Sequence, residues 1–171
     1  MVTVARKITR QKWTPRGTQP FQRVPLDGVT YDMRTENHAL SMWTCDLGRD
    51  GSVNEIALVL AASRDTIDRL GVVFVEESDL QSRGIRVEPT SGNTAIDHFK
   101  ARHRDAAELN LRRYCALARL LNDAILKDRC RRFSRQQIRD ILAEAVGNKL
   151  LALDSLRDRV RAEIETYLAS S

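Results

Sequence analysis

The chain has 171 residues, 42% of them apolar and 30% charged, with a formal net charge of +5. That length and balance fit a single folded domain with a real core and exclude a disordered chain. No apolar run reaches the roughly 18 residues of a membrane span, and the first thirty residues lack the continuous apolar stretch of a secretion signal. Cys45, Cys115 and Cys130 are far apart and form no C-x-x-C pair, which argues against a disulfide framework or structural zinc. A cytoplasmic protein with no cofactor and no membrane partner is the expectation.

Residues 1–26 carry Arg6, Lys7, Arg10, Lys12, Arg16 and Arg23 before the first useful acid, Asp27. Val4, Ile8 and Trp13 suggest a strand, and Pro15, Gly17, Pro20 and Pro25 then break the pattern, so a basic extended arm is expected. Residues 24–92 hold twelve acids against six arginines. The arm could lie on this acidic middle or track an external anionic partner.

Residues 27–92 read as a small mixed α/β unit. Strands are expected at 29–32 and 39–45, the second with Leu40, Met42 and Thr44 on one face and Ser41, Trp43 and Cys45 on the other. After a turn over Gly48–Gly51, Ser52 and Glu55 have capping-box spacing, which predicts a helix over 53–62. A short helical turn at 64–70 and strands at 72–75 and 85–87 complete the unit.

Residues 93–171 read as helical and packed on the same domain. Thr94 and Asp97 can cap a first helix whose apolar side includes Ile96, Phe99, Ala107, Leu111, Tyr114, Leu117, Leu121 and Ile125. Thirty-odd residues of helix would span about 50 Å, so it must bend, protrude or be covered. Ser134 and Gln137 form a second capping box, with Phe133 and Ile138 placed as its hydrophobic staple. They predict a chain break near 132–134 and a helix over 135–146, closed by a left-handed Gly147-Asn148 cap. A last helix carries Leu150, Leu153, Leu156, Val160, Ile164 and Leu168. The expected fold class is α+β: a small mixed β-sheet with one or two helices, followed by a three-helix C-terminal layer.

No motif assembles an enzyme. His103-Arg104-Asp105 with Asn110 matches a kinase catalytic loop, but no Gly-rich phosphate loop, strand lysine or D-F-G accompanies it. No glycine precedes Lys-Ser/Thr as a P-loop requires. Glu76, Glu77 and Asp79 have no nearby lysine for a nuclease site, and they read as a solvated strand end or helix start. His98 and His103 are five apart, off the four-residue spacing of a helical zinc pair, so no metal site is expected. Arg34, Glu36 and His38, with Asp32 beside them, are the candidate catalytic loop residues, because a histidine and a carboxylate can exchange protons near neutral pH. A plain surface loop is the competing reading. The cations around Cys130 would favour its thiolate.

The densest charge is at 127–139, where six bases meet one acid, Asp128. Lys127 and Arg129 suit a helix C-terminus. Arg131, Arg132 and Arg135 crowd the next helix start, where the dipole opposes them, and Arg135 and Arg139 share a face. With Ser134, these form the candidate anion- or partner-binding set: Arg131, Arg132, Ser134, Arg135 and Arg139. Pairing with acids of the same chain is the structural alternative. The expected function is a non-enzymatic interaction or adaptor protein that binds an acidic protein or phosphate-bearing partner through this helix junction, or a second copy of itself. A nucleic-acid-binding accessory protein is the alternative, with few aromatics for stacking on single strands. A small enzyme built on Arg34, Glu36 and His38 is the second alternative.

Overall fold

The computed structural model describes residues 2–14 and 24–170. The proline-broken part of the expected arm, with Arg16 and Arg23, lies outside them. Six strands form one antiparallel sheet: β1 (Thr3–Ile8), β2 (Leu40–Cys45), β3 (Leu70–Glu76), β4 (Arg86–Pro89), β5 (His103–Ala107) and β6 (Cys130–Phe133), in the order β4-β5-β2-β1-β3-β6. The protein is α+β, and the sheet is antiparallel throughout.

Both faces of the sheet are covered. On one, Ala5, Trp43, Val72 and Phe74 pack against α3 (Ser52–Ala62), α6 (Arg135–Gly147) and α7 (Asp158–Ala169). On the other, Val4, Met42, Val73 and Val75 meet α5 (Leu111–Leu126), with Trp13 from α1 (Arg10–Trp13) and Leu80 from α4 (Glu77–Ser82) in the same cluster. Alternating residues of β1 and β3 therefore enter different cores, which explains why 72–75 is apolar without a break.

The basic N-terminal segment is not a detached arm over residues 3–8: β1 is an interior strand between β2 and β3. Residues 29–32, expected as a strand, lie in α2 (Leu26–Asp32), which follows Pro25 and carries Asp27 in its first turn. Gly28 allows α2 to touch α1, because a Cβ there would come within 2.6 Å of the Trp13 ring. The helix expected at 53–62 is α3, but Ser52 does not cap it. Gly51, at φ 79°, occupies the cap position, and the buried Ser52 hydroxyl accepts the Asp46 amide instead. Residues 64–69 form an irregular connection rather than a helical turn.

The expected continuous helix after Gly92 is divided. A 3-10 segment (Asp97–Arg102) leads into β5, and Asn110 then caps α5 by accepting the Arg113 amide at 3.0 Å. The three expected helices are α5, α6 and α7, but α5 lies across the sheet from the other two. At α6 the second capping box is complete: Gln137 N donates to Ser134 Oγ at 3.2 Å, and Ser134 N donates to Gln137 Oε1 at 2.8 Å. Phe133 and Ile138 are buried in one cluster, as a staple requires. Lys149, at φ 59°, provides the left-handed residue expected at Gly147-Asn148.

Candidate functional site

The arginine cluster is not a helix–helix junction. Residues 130–133 form β6, which pairs with β3 in the register Gly71↔Arg132 and Val72↔Arg131. Arg131 and Arg132 thus project from opposite faces of a strand. The dipole argument for them does not hold, because neither lies in the first turn of α6. Arg135 and Arg139 do lie on α6, and both reach Glu163 of α7, at 2.9 Å and 2.7 Å. Burial alone would raise the Glu163 carboxyl, but the bonds from Arg135 and Arg139 outweigh it and hold the group below its usual range. These two arginines share one carboxylate within the chain.

What remains of the cluster is concentrated along the outer strand. Among the described residues, the side chains of Arg129, Arg131 and Arg132 form no ion pair. A cleft of about 540 Å3 borders the end of β6 and is lined by Arg10, Arg69, Arg132, Ser134 and Gln137, with no acid. A second, of about 480 Å3, lies at its start and includes Arg129 and Arg131 beside Asp128 and Glu76. Cys130 lines this second cleft. Burial raises its thiol above the ordinary value, and bonding to Asp128 adds to this, so the expected thiolate is not favoured.

The loop candidates do not assemble. Glu36 and Ala39 bridge a tight hairpin whose central residues, Asn37 and His38, have φ near 50° and 60°. Arg34, Glu36 and His38 are all exposed, and no hydrogen bond or ion pair links them among the described residues. Asp32 is buried and structural: it accepts from Thr9 N at 2.6 Å and Trp13 Nε1 at 2.8 Å. No group of three or more His, Cys, Asp or Glu side chains among the described residues is placed to hold a metal ion. No described helix is long and apolar enough to cross a membrane.

A different charged cleft appears where β1 and β2 separate. Their pairing ends at Ala5↔Trp43, while β1 continues along β3 to Ile8↔Gly71. The Arg6 guanidinium fills the split, donating from Nη1 to Ser41 O at 2.8 Å and from Nη2 to Asp32 O at 2.7 Å. Its buried Nε has no hydrogen-bond partner among the described residues. Burial lowers its affinity for a proton, opposed by Asp32 and Asp105, but a guanidinium stays charged in any accessible range. Lys7, on the other face of β1, lines the cleft with Arg64 at the end of α3. Burial, then Arg64 and Arg6, pull the Lys7 amine below its usual value.

The opposite wall is Trp43 and His103, whose rings meet edge to face at 4.8 Å. Gly92 lets the 90–93 loop close on them, since a Cβ there would come within 2.4 Å of the Trp43 ring. Thr90 Oγ1 lies 2.7 Å from His103 Nδ1 and donates to Asp105 at 2.9 Å. One hydroxyl has one proton, and the carboxylate takes it, so His103 Nδ1 must be the donor to Thr90. Burial lowers the His103 pKa, with Asp105 opposing. Burial thus favours the neutral form of the imidazole in this wall. The matching of His103 and Asp105 to a kinase motif has no catalytic meaning here, since both lie on a strand and Asn110 caps a helix.

Sequence reasoning counted Arg6 and Lys7 as charges of an arm. The available signal was their position between Val4 and Ile8, inside a strand pattern. No protein-family model, curated protein or solved structure gives a significant match to the chain.

Proposed function

We propose that this chain is a non-enzymatic cytoplasmic interaction protein that takes an extended acidic segment of a partner protein along the outer edge of β6. The observation that carries the reading is an unpaired strand edge with Arg131 and Arg132 on its two faces and no intramolecular acid holding either. β6 ends the sheet order, so its outward N–H and C=O groups are available to an added strand. Alternating acidic side chains on such a segment would meet Arg132 on one face and Arg131 on the other. Arg69, which shares the cleft with Arg132, extends the positive field beyond the strand end, while Arg10 in the same cleft pairs with Asp128 at 3.6 Å. The same charges oppose pairing with a second copy of this edge, because like charges across a ladder destabilise it. The other sheet edge, β4, ends at Pro89 and carries Arg86 already bonded to Glu88 and Glu108.

The test is fluorescence anisotropy of a labelled peptide alternating Glu and Thr, with a single-stranded oligonucleotide of matched charge as the second arm. Arg131→Glu with Arg132→Glu is expected to weaken peptide binding at least tenfold while thermal unfolding is unchanged. Peptide affinity unaffected by the double reversal would refute the edge reading. Tighter binding of the oligonucleotide through the same arginines would replace it with the nucleic-acid alternative.

A further inference from the structure

We propose that the cleft at the β1–β2 split is a binding site for the phosphate group of a small phosphomonoester. This site is separate from the β6 edge and does not depend on what that edge binds. The cleft has a volume of about 660 Å3, within the range of small-molecule sites.

Its lining is cationic. Neither Arg6 nor Lys7 forms an ion pair among the described residues, and Arg64, which lies 3.9 Å from Asp68, brings a third cation to the same cleft. Asp65 is the one acid among the lining residues, and it is exposed and 3.8 Å from Arg157. Arg6 is fixed beneath the site with both terminal nitrogens committed to carbonyls, so it acts through its charge. Lys7 and Arg64 are the side chains able to reach an anion directly. With Lys7 and Arg64 both in reach, a dianion answers this arrangement better than a carboxylate, which carries a single charge.

The neutral donors agree. The hydroxyls of Ser41, Ser63 and Ser91 and the amide of Asn93 line the cleft and make no hydrogen bond among the described residues. They come from three separate parts of the chain, β2, the end of α3 and the 90–93 loop, so they can approach a tetrahedral group from different sides. The edge-to-face pair of Trp43 and His103 forms an aromatic wall for the rest of the ligand. A bare phosphate would leave much of the volume empty, which points to an ester.

Titration of the full-length protein with inorganic phosphate, read by the Trp43 indole NMR signal, tests the site, with sulfate and chloride as parallel arms. Saturable phosphate binding is expected, weakened at least tenfold in Lys7→Met and at least fivefold in Arg64→Gln. Phosphate is also expected to protect Lys7 from reductive methylation. Arg131→Glu with Arg132→Glu should leave phosphate binding within twofold of the original, which separates this site from the β6 edge. If Lys7→Met fails to fold, Arg64→Gln decides alone. Absence of saturable binding, binding unchanged in a folded Lys7 or Arg64 variant, or an equal response to chloride overturns the proposal. A small phosphomonoester such as glycerol phosphate should bind more tightly than phosphate itself; equal affinity would refute the ester.

Discussion

Replacing Asp32 with alanine tests how α1, α2 and β1 are held together. Asp32 ends α2, where a negative charge opposes the helix dipole, and it is nevertheless buried. Its Oδ2 accepts Thr9 N at 2.6 Å and Trp13 Nε1 at 2.8 Å, while Oδ1 accepts Thr9 Oγ1 at 3.1 Å. A hydrogen bond to a charged acceptor contributes about 1.5–3 kcal/mol, and three bonds sharing one carboxylate fall short of additive. Alanine also strands the Thr9 and Trp13 donors, so the expected loss is about 3–5 kcal/mol, a large part of an ordinary domain's stability. Asp32→Asn can keep its oxygen at the Oδ2 position and turn its amine toward the Thr9 hydroxyl, which can accept. That variant should lose only about 1–2 kcal/mol, the part owed to charge. Urea unfolding followed by circular dichroism gives both numbers, and the Trp13 indole NMR signal reports whether its bond survives. A loss under about 1 kcal/mol for alanine, or equal losses for the two variants, would refute this account.

Two further outcomes are expected. His103 has a folded pKa below its ordinary 6.5, so the folded state binds fewer protons than the unfolded chain. Its contribution is fully present above about pH 6.5 and is lost as pH falls through the folded value. The urea midpoint should drop between about pH 7 and pH 5.5, before the carboxylates of Glu55 and Glu163, both held below 4.5, begin to titrate. An imidazole NMR titration of His103 centred at or above 6.5 would contradict it. For the α6–α7 clamp, a double-mutant cycle on Arg139 and Glu163 should show coupling of about 0.5–1 kcal/mol that shrinks in about 0.5 M salt. Zero coupling at low salt would show that the pair contributes nothing.

The parts of the fold that were legible in the sequence are those specified by neighbours along the chain. Ser134, Gln137, Phe133 and Ile138 define the start of α6 because a capping box and staple close within five residues. Residues 103–107 were not legible as a strand. His103 and Asp105 look solvated, yet they share a face and are joined through Thr90, thirteen and fifteen residues earlier. α2 was misread because Val29 and Tyr31 favour strands, while its position is decided by Gly28 lying against Trp13. Ser52 had the right spacing for a cap, but its hydroxyl accepts the Asp46 amide six residues earlier. The candidate site shows the same division. Pairing of Arg135 and Arg139 with Glu163 spans 28 and 24 residues and leaves no local mark.

Among the described residues, β1 is also the one strand that joins two groups of strands, β4-β5-β2 and β3-β6. Val4 pairs with Thr44 on one side and with Val75, 71 residues away, on the other. The earliest strand to be synthesised therefore cannot finish its pairing until nearly half the chain has followed it. Contacts of such range place assembly in the slower, topology-limited class of folding reactions. Until β1 is seated, each group presents an open edge, and the period of greatest exposure to misassociation is the interval between making Val4 and making Val75.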